Sequence, residues 1–241
     1  RAFNKTTPAA EDLIMPRILT PHGLLLFGGA PKLGKSDLLL CWLAHMAAGV
    51  SFLGMKPPRP LKIMYLQAEM EDDYMCERIQ QIGIDRNLIP LVGQNLSYTP
   101  DLEMVLDEDG MKVARRSILR AFPDNDLDII AVDPLRNFFD NKNDTVSEND
   151  NGVMLGFLRR RLGALRDSIN PSAGISLIHH TKKISSSDLK AVQFQAFAGA
   201  GSLRGCYTTG ILMWQPDEEV DEYELIFESR YGKRMAPKRL R

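Results

Sequence analysis

Short apolar runs alternate with longer segments of helical period along this chain. Gly23–Gly28 (GLLLFG), Lys62–Gln67 (KIMYLQ), Leu127–Asp133 (LDIIAVD), Gly174–His179 (GISLIH), Thr209–Trp214 (TGILMW) and Tyr223–Glu228 (YELIFE) have the Ile, Leu and Val content of strands. Several are apolar almost throughout, as strands covered on both faces are. Between them, Ser36–Ala48, Asp72–Ile82, Met111–Phe122 and Gly152–Asp167 repeat apolar residues at helical spacing, with Gly49 and Gly83 placed to end the first two. The alternation predicts an α/β fold: a mostly parallel twisted sheet flanked by helices. The last two runs are joined only by the polar stretch Gln215–Glu222, which predicts antiparallel strands added at the C-terminal end. No internal repeat and no second domain is visible.

Three stretches break the pattern. Asp140–Asn151 (DNKNDTVSENDN) reads as a solvated loop, and Lys182–Gly201, with its Ser, Gly and a few bases, as a mobile one. Arg230–Arg241 holds six basic residues in twelve and reads as a solvated tail or a phosphate-contacting arm. At 241 residues there is room for one large α/β domain, and 44% hydrophobic with 25% charged residues excludes a disordered or fibrous chain. A net charge of −1 excludes a bulk polycation but leaves a local nucleic-acid patch open. No apolar run reaches the roughly 18–20 residues of a membrane span, so no membrane partner is expected. Cys41, Cys76 and Cys206 are too few and too far apart for a disulfide framework or a zinc site, and fit a reducing cytoplasm. The chain opens on Arg1 with no signal-like segment, which reads as a trimmed or partial chain.

The candidate chemistry begins at Gly29-Ala-Pro-Lys-Leu-Gly34-Lys35-Ser36, a full match to G-x-x-x-x-G-K-[ST]. At average composition the pattern arises in about one chain in a hundred of this length, so context decides. The context agrees: the glycines follow an apolar strand and open an apolar-periodic helix. Glycines let backbone N–H groups curl around a β-phosphate, and the helix N-terminus adds partial positive charge. Lys35 is placed to neutralise β- and γ-phosphate oxygens and the Ser36 hydroxyl to ligate magnesium. The expected ATP-binding residues are Gly29, Ala30, Pro31, Lys32, Leu33, Gly34, Lys35, Ser36 and Asp37.

Asp133 ends an apolar strand, where a second magnesium-holding acid belongs. Hydrolysis also needs a carboxylate for the attacking water, and Pro134, next to Asp133, cannot supply it. Glu69, just past the strand Lys62–Ala68, is the expected catalytic acid; Glu71, Asp72 and Asp73 read as acids of a helix first turn. His179 and His180 end another strand. Alternation sends them to opposite faces, so one of the two is available to sense a γ-phosphate.

This order of elements resembles the RecA-like ATPases, particularly the hexameric replicative helicases of the DnaB and plasmid RepA type, with KaiC and RadA as relatives. Leu66-Gln-Ala-Glu69-Met-Glu, followed by Arg78, looks like the helicase segment in which the catalytic glutamate precedes an arginine-bearing helix. Ile178-His-His-Thr-Lys-Lys183 is similar to the sensor strand, with His180 at the best-matching position. Phe227-Glu-Ser-Arg230-Tyr-Gly232 is similar to the strand end that carries an arginine finger. The resemblance covers about residues 21–233 and implies a RecA-like ATPase domain there, after an N-terminal extension over 1–20 and before a basic C-terminal tail over 234–241.

The resemblance further implies ATP and Mg2+ as ligands and a homo-oligomer, most simply a hexameric ring. It also implies an arginine, Arg230, reaching the neighbouring subunit's γ-phosphate. DnaB-type rings carry a lysine two residues before that arginine, where this chain has Glu228, and RepA-type chains carry an arginine in the strand that here reads Tyr207-Thr-Thr-Gly-Ile. Arg204 is therefore the alternative finger. Single-stranded DNA is implied as partner, gripped by channel loops that fall on Asp140–Asn151 and Lys182–Gly201. The first is acidic, so contact is expected at Lys182, Lys183 and Lys190. The expected function is a DNA helicase or translocase in replication of a plasmid, phage or mobile element. The alternative is a KaiC- or RadA-like ATPase that uses ATP as an assembly switch.

Overall fold

The apolar runs become strands at nearly the expected positions. The computed structural model describes residues 11–100, 105–138, 150–198, 200–217 and 219–241. In chain order these form β1 (Leu24–Gly29), α1 (Lys35–Ala47), β2 (Ile63–Gln67), α2 (Asp72–Gln81), α3 (Ile89–Asn95), β3 (Leu96–Tyr98), α4 (Glu108–Ala121), β4 (Ile129–Asp133) and α5 (Asn151–Gly156). A π-helical segment, Phe157–Leu162, leads into α6 (Gly163–Asp167). Then come β5 (Gly174–His180), α7 (Ser186–Val192), α8 (Ala200–Cys206), β6 (Thr209–Trp214), β7 (Tyr223–Ser229) and β8 (Lys238–Leu240).

The sheet order is β3-β2-β4-β5-β1-β6-β7-β8. The first six strands are parallel. β7 pairs antiparallel with both β6 and β8, which is the antiparallel addition expected at the C-terminal end. Alternate residues feed two separate cores. Leu26, Leu66, Ile130, Val132 and Leu177 face α4, the helix through α5 and α6, and the segment from Leu189 to Tyr207. Leu25, Phe27, Ile63, Tyr65, Ile129 and Ile178 face α1, with Leu39, Leu43 and Met46, and α2, with Met75. Helices on both faces explain why the strands are apolar throughout.

Four expectations need correction. Residues 11–20 of the expected extension belong to the domain: Ile14 and Leu19 are fully buried, and Met15 pairs with Lys56. Within the expected tail over 234–241, Lys238–Leu240 form β8 along β7, because a basic strand is tolerated at a solvated sheet edge. The segment over Lys182–Gly201 is not a loose loop. It contains α7, a 3-10 turn at Gln193–Ala196 and the start of α8, and it is anchored by buried Phe194 and Phe197. Gly49 stops α1 with φ 76°, but α2 stops by turning extended at Ile82 without using Gly83. Of the expected loop Asp140–Asn151, residues 140–149 lie outside the described residues, as do 1–10 of the extension. Asp150 caps α5 through Gly152 and Val153 N–H.

The tightest contact in the sheet is at Gly28, where a Cβ would lie 2.2 Å from the Phe197 ring. Gly28→Ala is expected to lower the unfolding free energy by about 1–3 kcal/mol in urea titration. In a Phe197→Ala background the same change is expected to cost little, because the ring it strikes is gone.

Candidate functional site

Parallel strands place their carboxyl ends together, and here β1, β4 and β5 end at one edge with Gly29, Asp133 and His180. β1 delivers the chain to that edge so tightly that a Cβ on Gly29 would sit 2.5 Å from the Met213 carbonyl oxygen. The loop then turns with Lys32 and Gly34 in the left-handed region, φ 63° and 75°. Glycine adopts this freely, while for Lys32 it costs on the order of 1 kcal/mol. α1 begins at Lys35 with no side-chain cap at Gly34, so its first-turn N–H groups face the loop's interior.

Lys35 is only 5% exposed and donates from Nζ to Ala30 O at 2.6 Å. Burial lowers its pKa, against the opposing pull of Asp133 and Glu69. Asp133 is 2% exposed; Tyr65 donates its hydroxyl proton to Oδ2 at 2.6 Å. Oδ1 is buried and takes no hydrogen bond among the described residues. Burial pushes the Asp133 pKa up to about 6, opposed by the Tyr65 hydrogen bond and the nearby Ser36 hydroxyl. A buried carboxylate oxygen without a donor, beside a serine hydroxyl, is the donor set of a hard oxygen-seeking cation, and magnesium fits it. Ser36 and Asp133 would hold the ion.

Glu69 is exposed and sits in the bend between β2 and α2. Its position is fixed by Gln67, which is 1% exposed. Gln67 Oε1 accepts from the Glu69 and Met70 N–H groups (3.2 and 2.9 Å), while Nε2 donates to Met70 O and Thr99 O (2.8 and 2.9 Å). Asn137 Nδ2 donates to Ala68 O at 2.8 Å, and Ala68 N–H to Asp133 O at 3.0 Å. The bend that carries the acid is thus tied to β3's end, to β4 and to the turn after it.

These groups line one cavity of about 450 Å³, within the size range of small-ligand sites. Pro31, Lys32, Gly34, Lys35, Ser36 and Asp37 form one wall; Glu69, Asp133, Ile178 and His180 the other; Arg78, ion-paired to Asp37, stands at the side. Of the remaining P-loop residues, Gly29 and Ala30 form the loop's base, and Leu33 packs on the α1-side core. His180 faces the cavity. His179 faces the opposite core, donating from Nε2 to Ala198 O at 3.0 Å, and burial holds its pKa down near 4, so it stays neutral.

Other expected residues lie elsewhere. Lys182, Lys183 and Lys190 are exposed just beyond β5 and on α7. Arg230 is at the amino edge of the sheet, beside Thr208 and the start of β1. It is exposed, not buried as an arginine ending an apolar strand suggests, because its guanidinium reaches out to Gly205 O at 3.0 Å. Arg204 is engaged with Glu228 at 2.6 Å, and Tyr207 donates to the same carboxylate at 2.8 Å. Tyr65 and Gln67 carry no sequence signal of a site, since each is an ordinary strand residue until its distant partner is known.

Bound magnesium supplies charge that neutralises phosphate oxygens and fixes the triphosphate's orientation. The chain's own groups are arranged for the rest. Loop and α1 N–H groups are placed to bind the β-phosphate, and Lys35 to match the β/γ charge. Glu69, the expected acid for the attacking water, and His180, the expected phosphate sensor, border the same cavity from the opposite wall. Among the described residues no group of three or more His, Cys, Asp or Glu could hold a metal ion by itself.

Two outcomes follow. The Asp133 pKa is raised on folding, so its contribution to stability is complete below about pH 3.8 and is lost as pH rises through about 6. Asp133→Asn is expected to stabilise the ligand-free protein at pH 8 by up to about 3 kcal/mol, and not at pH 4, measured by denaturant titration. Gln67→Leu is expected to lower kcat at least about tenfold while the dissociation constant for magnesium-ATP stays within about twofold. A loosened bend misplaces Glu69 without touching the phosphate contacts.

A family model described as an AAA domain matches residues 1–186, over three quarters of the chain. No curated protein matches the sequence. Among solved structures, one ATPase domain superposes with TM-score 0.60 at 11% identity, covering 91% of this chain and 81% of that one. The KaiC-like protein PH0186 from the hyperthermophilic archaeon Pyrococcus horikoshii OT3 superposes with TM-score 0.59 at 10% identity, covering 94% and 87%. At such identity the superpositions show the fold alone, and they agree with the sheet described above. The chain belongs to the AAA domain family, and its fold is that of a RecA-like P-loop ATPase.

Proposed function

We propose that this ATPase is a ring-forming motor that moves along single-stranded DNA, a RepA-like helicase or translocase serving replication of a plasmid, phage or mobile element. One observation carries the reading. β5 brings His180 to the nucleotide cavity, and two residues later the same chain presents Lys182 and Lys183 to solvent. Lys190 follows on α7, whose segment is hydrogen-bonded back to β5 through Lys182 N–H to Ala196 O and Ala198 N–H to His180 O. A cation cluster so placed feels the state of the γ-phosphate through a single strand end. The ring is supported by the sheet itself: the P-loop lies at the carboxyl edge and Arg230 at the amino edge, so Arg230 serves a nucleotide only in a head-to-tail neighbour. Among the described residues no helix is long and apolar enough to cross a membrane.

Single-stranded DNA is expected to raise the ATPase rate. Replacing Lys182, Lys183 and Lys190 by alanine is expected to bring the ratio of rates with and without DNA close to one. The same variant's DNA affinity should depend less steeply on salt, by about 2 in the log–log slope for three lost phosphate contacts. The chain's net charge of −1 favours a second reading, a KaiC- or RadA-like assembly switch. ATP-dependent assembly with no response to DNA would decide for it.

A further inference from the structure

The two carboxylate oxygens of Asp133 stand in different surroundings. Oδ1 is buried without a hydrogen bond among the described residues, whereas Oδ2 accepts from the Tyr65 hydroxyl at 2.6 Å. Tyr65 is itself fully buried, in the core it shares with Leu43, Met75 and Ile178. Its hydroxyl is cut off from water and depends on Oδ2 for an acceptor. Neither partner is free to drift away. Tyr65 lies in β2 with Tyr98 and Ala131 as register partners on its two sides, and its carbonyl accepts from Thr99 N–H at 3.0 Å. Asp133 is fixed at the end of β4 through its own carbonyl, which accepts from Ala68 N–H at 3.0 Å. Turning the carboxylate to present both oxygens to the cavity would leave a buried hydroxyl without an acceptor.

We propose that Tyr65 sets which cation this site accepts: by holding Oδ2 it leaves Asp133 a single oxygen for metal, and so favours magnesium over calcium. Magnesium demands near-octahedral geometry at short range, and one carboxylate oxygen serves it together with phosphates and water. Calcium is larger, takes more oxygen ligands and often uses both oxygens of one carboxylate. For calcium to gain Oδ2, the Tyr65 hydroxyl must lose it. Tyr65 is not among the residues that line the nucleotide cavity; it acts through Asp133 and is a positioning residue. The inference rests on the magnesium-ATP site described above, and on neither the ring nor DNA.

The test titrates magnesium chloride and calcium chloride, in turn, into the full chain with a fluorescent, non-hydrolysable ATP analogue. Each metal's dissociation constant is read from the fluorescence, corrected for metal on free analogue. Tyr65→Phe keeps the ring and removes the hydroxyl. It is expected to lower the ratio of the calcium constant to the magnesium constant at least about fivefold, because calcium no longer displaces a buried donor. A smaller fall overturns the inference, and so does equal weakening of both metals, the mark of lost packing alone. A second measurement keeps the hydrogen bond and holds even where Tyr65→Phe does not fold. With fluorine placed on the Tyr65 ring beside its hydroxyl, the fluorine resonance is expected to move on adding calcium and the analogue. With magnesium and the analogue it is expected to stay near its metal-free position. An equal response to the two metals overturns the inference. If the wild-type chain binds the analogue with no dependence on either metal, the magnesium assignment fails and the inference with it. Metal-dependent binding with an unchanged ratio in Tyr65→Phe overturns the inference alone.

Discussion

Two opposite charges almost withdrawn from water, Lys35 and Asp133, govern how the rest of the molecule is built. Each is driven toward its neutral form by burial, and each is only partly compensated by the other. Their burial excludes most of the water that would otherwise solvate them, so the pair is held in a medium where an added phosphate or cation gains more than it would at a surface. The fold supplies this medium by making the central strands apolar on both faces and placing the cavity at their carboxyl ends.

The second constraint is rigidity around the expected catalytic acid. An exposed glutamate in a bend is ordinarily loose, and here the looseness is removed from below. The Gln67 side chain satisfies both of its ends with backbone groups, and Thr99 returns a hydroxyl hydrogen bond to Gln67 O. A fully satisfied buried amide keeps one geometry, because any rotation leaves a donor or acceptor unpaired in a dry interior.

The parts legible in the sequence are those whose physics is local. Gly29 to Ser36 needs fixed residue types at fixed spacing, and the central strands must be apolar, so both are visible without coordinates. Asp133 and Glu69 are legible because each ends or follows a strand. β3 escapes notice because Leu96–Tyr98 is three residues long and half-buried, and β8 because its residues are mostly basic. The segment from Ser186 to Ala196 looks loose because serines and polar residues outnumber its few anchors, and only the folded chain shows Phe194 and Phe197 under the sheet. Tyr65 and Gln67 are invisible for another reason: their partners are Asp133 and Thr99, 68 and 32 residues away.

The bridge between Thr181 and Phe197 has a mechanical meaning. It lies one residue beyond His180, and two backbone hydrogen bonds clamp it, so the strand end and the segment carrying α7 turn as one piece. α7 has seven residues, about 10 Å at the usual helical rise. A displacement of the strand end is thereby passed on to α7 instead of being taken up in a slack connection, with the strand end as pivot and the helix as the arm.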